Sequence, residues 1–260
     1  MWLKNVLLVL CLIVIVSTST ASYIASCQGA TLTPEASREG SVCIRVGDRT
    51  LGTGFFIGDS YVATSWRVIS DKSSKWKPLE NLIVECPDGQ IISADCIAVP
   101  TEAYPEPDYY NFTILELEEQ PIGDIQVYEI SDGNELPRIG SIVYFSGYAF
   151  GIPMMLTNRG MLSGVDTTNI DMICVQASVN KGCYGAALMN DSKIVVGILS
   201  GYTGLNSNSI TDEPDEGVSE SARIMDEESG NQGRHHIAGT GFALSTKYLN
   251  EYCDLHGIVL

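Results

Sequence analysis

The sequence predicts an all-β protein, an antiparallel sandwich or barrel pair, finished by one C-terminal helix. Three observations carry this. Short runs rich in Val, Ile, Tyr, Phe and Thr recur along the chain, among them "GTGFFIG", "SYVATS", "NFTILELE", "SIVYFSGYAF" and "KIVVGILSG". Gly, Pro, Asn and Asp punctuate them at intervals of about ten residues, the spacing of strands joined by turns. Only "STKYLNEYCDLHG" near the end has helical spacing, with Tyr248, Leu249, Tyr252 and Cys253 on one face and Ser245 as its cap.

At 260 residues the chain can bury a sizeable core unaided. Its first 21 residues read as a secretory signal: Lys4, an apolar run from Val6 to Val16, then the small residues Ser19-Thr20-Ala21. The apolar run is short for a bilayer span. A rival reading takes "IASC", ending at Cys27, as a lipid-anchor site, but polar and small residues separate it from the apolar run. Residues 22–40 then form an N-terminal tail. The clearest hairpin turns are "PDGQ" at 87–90 and "NDSK" at 190–193. No repeat of fixed period is present.

The polar stretch 203–238 is far longer than an ordinary loop and reads as a flexible acidic insertion. Between Ile210 and His235 it holds eight acids against two arginines, within a formal net charge of −17. That balance repels nucleic acid and anionic lipid, so neither is expected as a partner. The lysines 72, 75 and 77 read as a solvated loop, and the pair His235-His236 as solvent-exposed. Seven cysteines follow the signal, and in an exported chain they suggest disulfides with one thiol left over. No zinc spacing is present; neither metal nor cofactor is expected.

Four segments in order resemble the trypsin-like serine proteases, most closely the HtrA/Deg type: "GTGFFIGDSYVATSWRVIS", "NFTILELE", "GYAFGIPMMLTNRGMLSGV" and "ASVNKGCYGAALMNDSKIVVGILSG". The resemblance implies two antiparallel six-stranded β-barrels, the first over about 41–120 and the second over about 125–245, with the C-terminal helix at about 246–256. It also places Arg67 where the family has its catalytic histidine, Asn111 at the aspartate and Tyr184 at the serine. The chemistry needs a hydroxyl activated by an imidazole that a carboxylate orients. A guanidinium offers no acceptor, a carboxamide carries no charge, and a phenol with a pKa near 10 is only about one part in a thousand ionised at neutral pH.

The resemblance further matches Gly182, Cys183 and Tyr184 to the oxyanion loop. It matches Leu199, Ser200, Gly201 and Tyr202 to the strand along which a substrate peptide lies, a run that reads equally as a core strand. The expectation is an exported pseudoprotease that binds a protein or peptide as decoy, scaffold or regulator. Two alternatives stand beside it: a thiol peptidase using Cys183, and a structural surface protein that interacts through its acidic insertion.

Overall fold

The computed structural model describes residues 34–71, 77–98, 111–134, 137–149, 154–166, 172–205 and 235–260. Six strands close a first barrel: β1 (Ser41–Val46), β2 (Arg49–Gly58), β3 (Tyr61–Thr64), β6 (Leu82–Glu85), β7 (Ile91–Cys96) and β8 (Thr113–Leu117), in the order β1-β2-β3-β8-β7-β6 with β6 returning to β1. All neighbours are antiparallel. Period-2 burial shows best on β7, where Ile92 and Ala94 point inward while Ile91, Ser93 and Asp95 face water. A short pair, β4 (Ser70–Asp71) with β5 (Lys77–Pro78), lies outside the barrel sheet.

The second barrel runs β13 (Ala187–Met189), β10 (Ile142–Gly147), β11 (Leu156–Asp166), β12 (Met172–Gln176), β15 (His235–Ser245) and β14 (Ile194–Leu205), closed by the pairing of β13 with β14. A two-residue strand, β9 (Glu129–Ile130), adds in parallel to β14. Both turns named from the sequence join strands: Gly89 takes φ +89° between β6 and β7, and Lys193 takes φ +66° between β13 and β14. β14 and β15 pair as far as Leu205 and His235, so their ends continue into the stretch read as an insertion.

Strand β2 departs from simple alternation, being buried without a break from Gly52 to Ile57. Phe56 joins the cluster that fills the barrels with Val62, Leu82, Phe145 and Val175. Phe55 and Ile57 face a second cluster that includes Ala187, Ile198 and, on helix α3 (Lys247–His256), Leu249 and Cys253. Each buried Phe, Ile, Leu or Val side chain among these contributes about 1.5–3 kcal/mol relative to leaving it in water. Gly257 ends α3 in the left-handed conformation, φ +69°.

Ahead of β1, the single turn α1 (Ala36–Glu39) docks on the second barrel. The Ser37 and Ser146 hydroxyls lie 2.6 Å apart, Ser146 and Thr157 follow at 2.9 Å, and the Tyr128 hydroxyl accepts the Gly40 amide at 2.8 Å.

The cysteines require a correction. Cys43, Cys86, Cys96, Cys174, Cys183 and Cys253 are all free thiols, so no disulfide forms among the described residues. They are dispersed over β1, the turn after β6, the end of β7, β12, the loop before β13 and α3. Burial disfavours their thiolates, raising Cys43 and Cys86 to about 11 and Cys253 to about 12. The proposed signal, Cys27 and residues 206–234 lie outside the described residues. No described helix is long and apolar enough to cross a membrane.

Candidate functional site

One carboxamide reaches from the first barrel to the second. Asn111 lies just before β8 and is 4% exposed. Its Oδ1 accepts the Ser65 hydroxyl at 2.7 Å and the backbone N–H of Arg67 at 3.0 Å, and its Nδ2 approaches the Ser200 carbonyl of β14 at 3.5 Å. Ser65 is fully buried and extended, φ −80° and ψ 137°, and leads into the short helix α2 (Trp66–Ile69). Arg67 is the half-buried second residue of that helix.

Facing this point is the loop 180–186. Residues Lys181–Cys183 form a 3-10 turn in which the Cys183 amide donates to the Asn180 carbonyl at 2.8 Å. Tyr184 follows, 8% exposed and part of the main hydrophobic cluster. Gly185 has φ +84°, donates its amide to the Leu199 carbonyl at 2.7 Å, and is pressed so closely that an added Cβ would fall 2.0 Å from the Thr53 carbonyl and 2.9 Å from the Ser65 amide. At Gly182 a Cβ would fall 1.9 Å from the Tyr148 carbonyl. Both glycines are therefore required by backbone packing, whatever the loop does chemically.

Cys183 is completely buried, and burial raises its thiol above the ordinary value of 9.0. Reactive thiols instead sit partly exposed in electropositive surroundings that lower their pKa. No pairing of Cys183 with a histidine is present among the described residues, where His256 stacks on Tyr252 with centroids 4.1 Å apart. Leu199 is fully buried, and its amide donates to Ala186 at 3.0 Å. Leu199 pairs with Ala243, Gly201 with Phe242 and Tyr202 with Gly241, across a bulge that leaves Ser200 outside the register. The Ser200 hydroxyl donates to the Ile198 carbonyl at 3.0 Å.

The residues named from the sequence thus converge. Asn111 meets the Arg67 backbone and approaches the Ser200 carbonyl, while Gly185, directly after Tyr184, abuts Ser65 and bonds Leu199. Sequence reading missed Ser65, Thr53, Thr64 and Tyr148. Thr53 in "GTGFF" and Ser65 before α2 stood inside quoted motifs, but a hydroxyl in a strand carries no signal of the partner across the barrel interface. Asp108, the acid nearest Asn111 in sequence, lies outside the described residues. Among the described residues no group of three or more His, Cys, Asp or Glu could hold a metal ion.

The comparisons with known proteins agree with this architecture. No curated protein matches the sequence. The structure is similar to that of a serine endoprotease from Yersinia pestis, with 19% identity and a TM-score of 0.58, over 87% of this chain and 66% of that one. It is similar to the inactive form of Rv3671c from M. tuberculosis H37Rv, a serine-to-alanine mutant, with 16% identity and a TM-score of 0.58, over 88% and 92%. It is also similar to the HtrA-type protease AlgW with a decapeptide, with 18% identity and a TM-score of 0.55, over 79% of this chain. The chain spans 66% of the length of the first of these structures and 51% of the third. The model of the trypsin-like peptidase domain matches residues 52–198, more than half of the chain. The chain belongs to the trypsin-like peptidase domain family.

Proposed function

We propose that the chain is an exported, catalytically inactive member of this family that binds a protein or peptide. The observation that carries the reading is the Asn111 carboxamide, buried at the meeting point of α2, β8 and β14 with its Oδ1 engaged by Ser65 and the Arg67 amide. The segment order that matches Asn111 to the family's aspartate also matches Arg67 to its histidine and Tyr184 to its serine. A neutral amide carries no charge to stabilise an imidazolium, a guanidinium cannot accept a proton, and a buried phenol is a poor nucleophile. Losing such a set together costs about a million-fold in turnover.

The loop conformation supports the same reading. A 3-10 turn directs each carbonyl at the amide three residues on. Over Lys181–Cys183 that pattern turns the Lys181 carbonyl toward the Tyr184 amide, within the loop matched to the oxyanion hole. The thiol alternative finds no support in Cys183, which is sealed from solvent and held protonated by burial.

Binding is proposed along Ser200, Gly201 and Tyr202. Beyond Ile198, where its pairing with β13 ends, the backbone of β14 is paired to β15 on one side, and the other edge is proposed to take an extended peptide by strand addition. An HtrA-type neighbour was solved with a decapeptide, which favours a peptide ligand here. Export rests on the signal-like first 21 residues.

The test is twofold. The purified chain lacking residues 1–21 is assayed against peptide and ester substrates from about pH 5 to about pH 9, with no turnover above background expected. Turnover that survives repurification and disappears in Cys183→Ala would replace this reading with the thiol enzyme. Partner capture from native secretions is then compared with and without residues 205–237. Capture that needs the acidic stretch but survives substitution at Gly201 would assign the interaction to the insertion.

A further inference from the structure

Every polar atom of Thr53 serves to hold another segment. Its amide donates to the Tyr184 carbonyl at 3.0 Å, and its carbonyl accepts the Thr64 hydroxyl at 2.6 Å. Its own hydroxyl donates to the Gly182 carbonyl at 2.7 Å and accepts the Tyr148 amide at 3.0 Å. The residue is fully buried on β2, in the first barrel, whereas Gly182, Tyr184 and Tyr148 belong to the second.

The consequence is sharpest at the peptide between Gly182 and Cys183. Its carbonyl is taken by the Thr53 hydroxyl, and its N–H is taken by the Asn180 carbonyl. Rotation of that peptide would break both bonds at once and leave the Thr53 hydroxyl without an acceptor in a buried site, which is the costly case. The neighbours leave little room for another arrangement, because Gly147 lies so close that an added Cβ would be 2.8 Å from the Thr53 hydroxyl oxygen and 3.1 Å from the Cys183 Cα.

We propose that Thr53 is a cross-barrel latch, a positioning residue whose hydroxyl holds the 180–186 loop in its 3-10 conformation and thereby keeps Cys183 sealed. Its bearing on partner binding rests on the peptide-binding role proposed for β14. The latch itself can be tested with no partner and no substrate.

The probe is an Ellman-type disulfide reagent applied to the native chain lacking residues 1–21, with labelled thiols resolved by peptide mass spectrometry. Thr53→Val keeps the shape of the side chain and removes the hydroxyl. Labelling of Cys183 is expected to rise about tenfold or more, the effect of one lost buried hydrogen bond on a local opening equilibrium. Labelling of Cys253, in the other cluster, is expected to stay at its original rate, and Thr53→Ser is expected to restore slow labelling of Cys183. Equal acceleration at Cys183 and Cys253 would mean global destabilisation and overturn the latch, as would unchanged labelling at Cys183. If Thr53→Val fails to fold, Thr53→Ala and Thr53→Ser decide the matter. The first removes the hydroxyl without setting a methyl against its two partners and the second retains it, so selective acceleration at Cys183 in Thr53→Ala but not in Thr53→Ser would support the proposal, and equal labelling of Cys183 in the two variants would overturn it.

Discussion

The Oδ1 of Asn111 accepts the backbone N–H of Arg67 at 3.0 Å while also receiving the hydroxyl of the fully buried Ser65. One atom therefore satisfies a buried hydroxyl and a part-buried backbone amide. Replacing Asn111 by Ala removes both partnerships at once. Stranding a buried donor costs about 1–3 kcal/mol, so Asn111→Ala is expected to lower unfolding free energy by at least about 2 kcal/mol in denaturant titration. A loss below about 0.5 kcal/mol would show that water or a rearranged turn replaces the amide.

Reversion of the proposed site tests inactivity from the other direction. Tyr184→Ser alone is expected to recover almost nothing, because the members of such a set act as a unit. The triple change Arg67→His, Asn111→Asp and Tyr184→Ser restores the residue types but leaves the 3-10 turn over Lys181–Cys183 and the Thr53 bond to Gly182 in place. Weak ester hydrolysis at best is expected, since misplacement by about 1 Å can cost a hundred-fold. Robust turnover by the single revertant would mean that position 67 or 111 is not what the sequence order implies.

The glycines of the loop separate packing from catalysis. Gly185→Ala sets a Cβ 2.0 Å from the Thr53 carbonyl and 2.1 Å from the Thr64 hydroxyl oxygen, at φ +84°. A backbone atom cannot yield that distance, so a loss above about 3 kcal/mol or failure to fold is expected. Gly47→Ala is the control, with φ +56° and open space around it, and its expected cost is only the left-handed penalty of about 1–2 kcal/mol. Circular dichroism melts of the pair measure the difference. Equal losses would refute the packing account.

Much of this architecture was readable because strands and turns leave local marks. The runs "GTGFFIG" and "NFTILELE", the Asp-Gly of the β6–β7 turn and the spacing of Leu249 and Cys253 all appear in the structure, as β2, β8, the turn and α3. The order of four segments is what proposes Arg67, Asn111 and the loop at Tyr184 as a site. What the chain did not disclose depends on contacts distant in sequence. The hydroxyl relay from Ser37 through Ser146 to Thr157, and the four bonds of Thr53, join residues whose local sequence is ordinary. Cysteine number misled for the same reason: composition suggests bonding, but only the fold decides which thiols bond, and the six described ones are free.

The two glycosylation patterns have opposite environments. Asn111 in "NFT" is 4% exposed and hydrogen-bonded, whereas Asn190 in "NDS" stands at the β13–β14 turn, its Oδ1 accepting the amides of Ser192 and Ile194. In folded protein from a glycosylating secretory host, peptide mapping is expected to find sugar on Asn190 and none on Asn111. A glycan at Asn111 in soluble, folded protein would be incompatible with its placement between Ser65 and Ser200.

The buried thiols make a last, signed prediction about alkali. Each of the six described cysteines has its pKa raised in the fold, chiefly by burial, with Cys43 and Cys86 at about 11 and Cys253 at about 12 against an ordinary 9.0. Between those values the unfolded chain has released protons that the folded chain still holds. Stability is therefore complete below about pH 9 and falls as pH climbs from 9 through the folded values. Tyr128 and Tyr148 are raised by burial too and act in the same direction. Thermal melts of the reduced protein at pH 8 and at pH 10.5 should differ by several degrees, and Cys253→Ala should shrink the difference even if it lowers both midpoints. Were the thiols bonded in pairs instead, added reductant at pH 8 would itself lower the midpoint, whereas free thiols predict that it changes nothing.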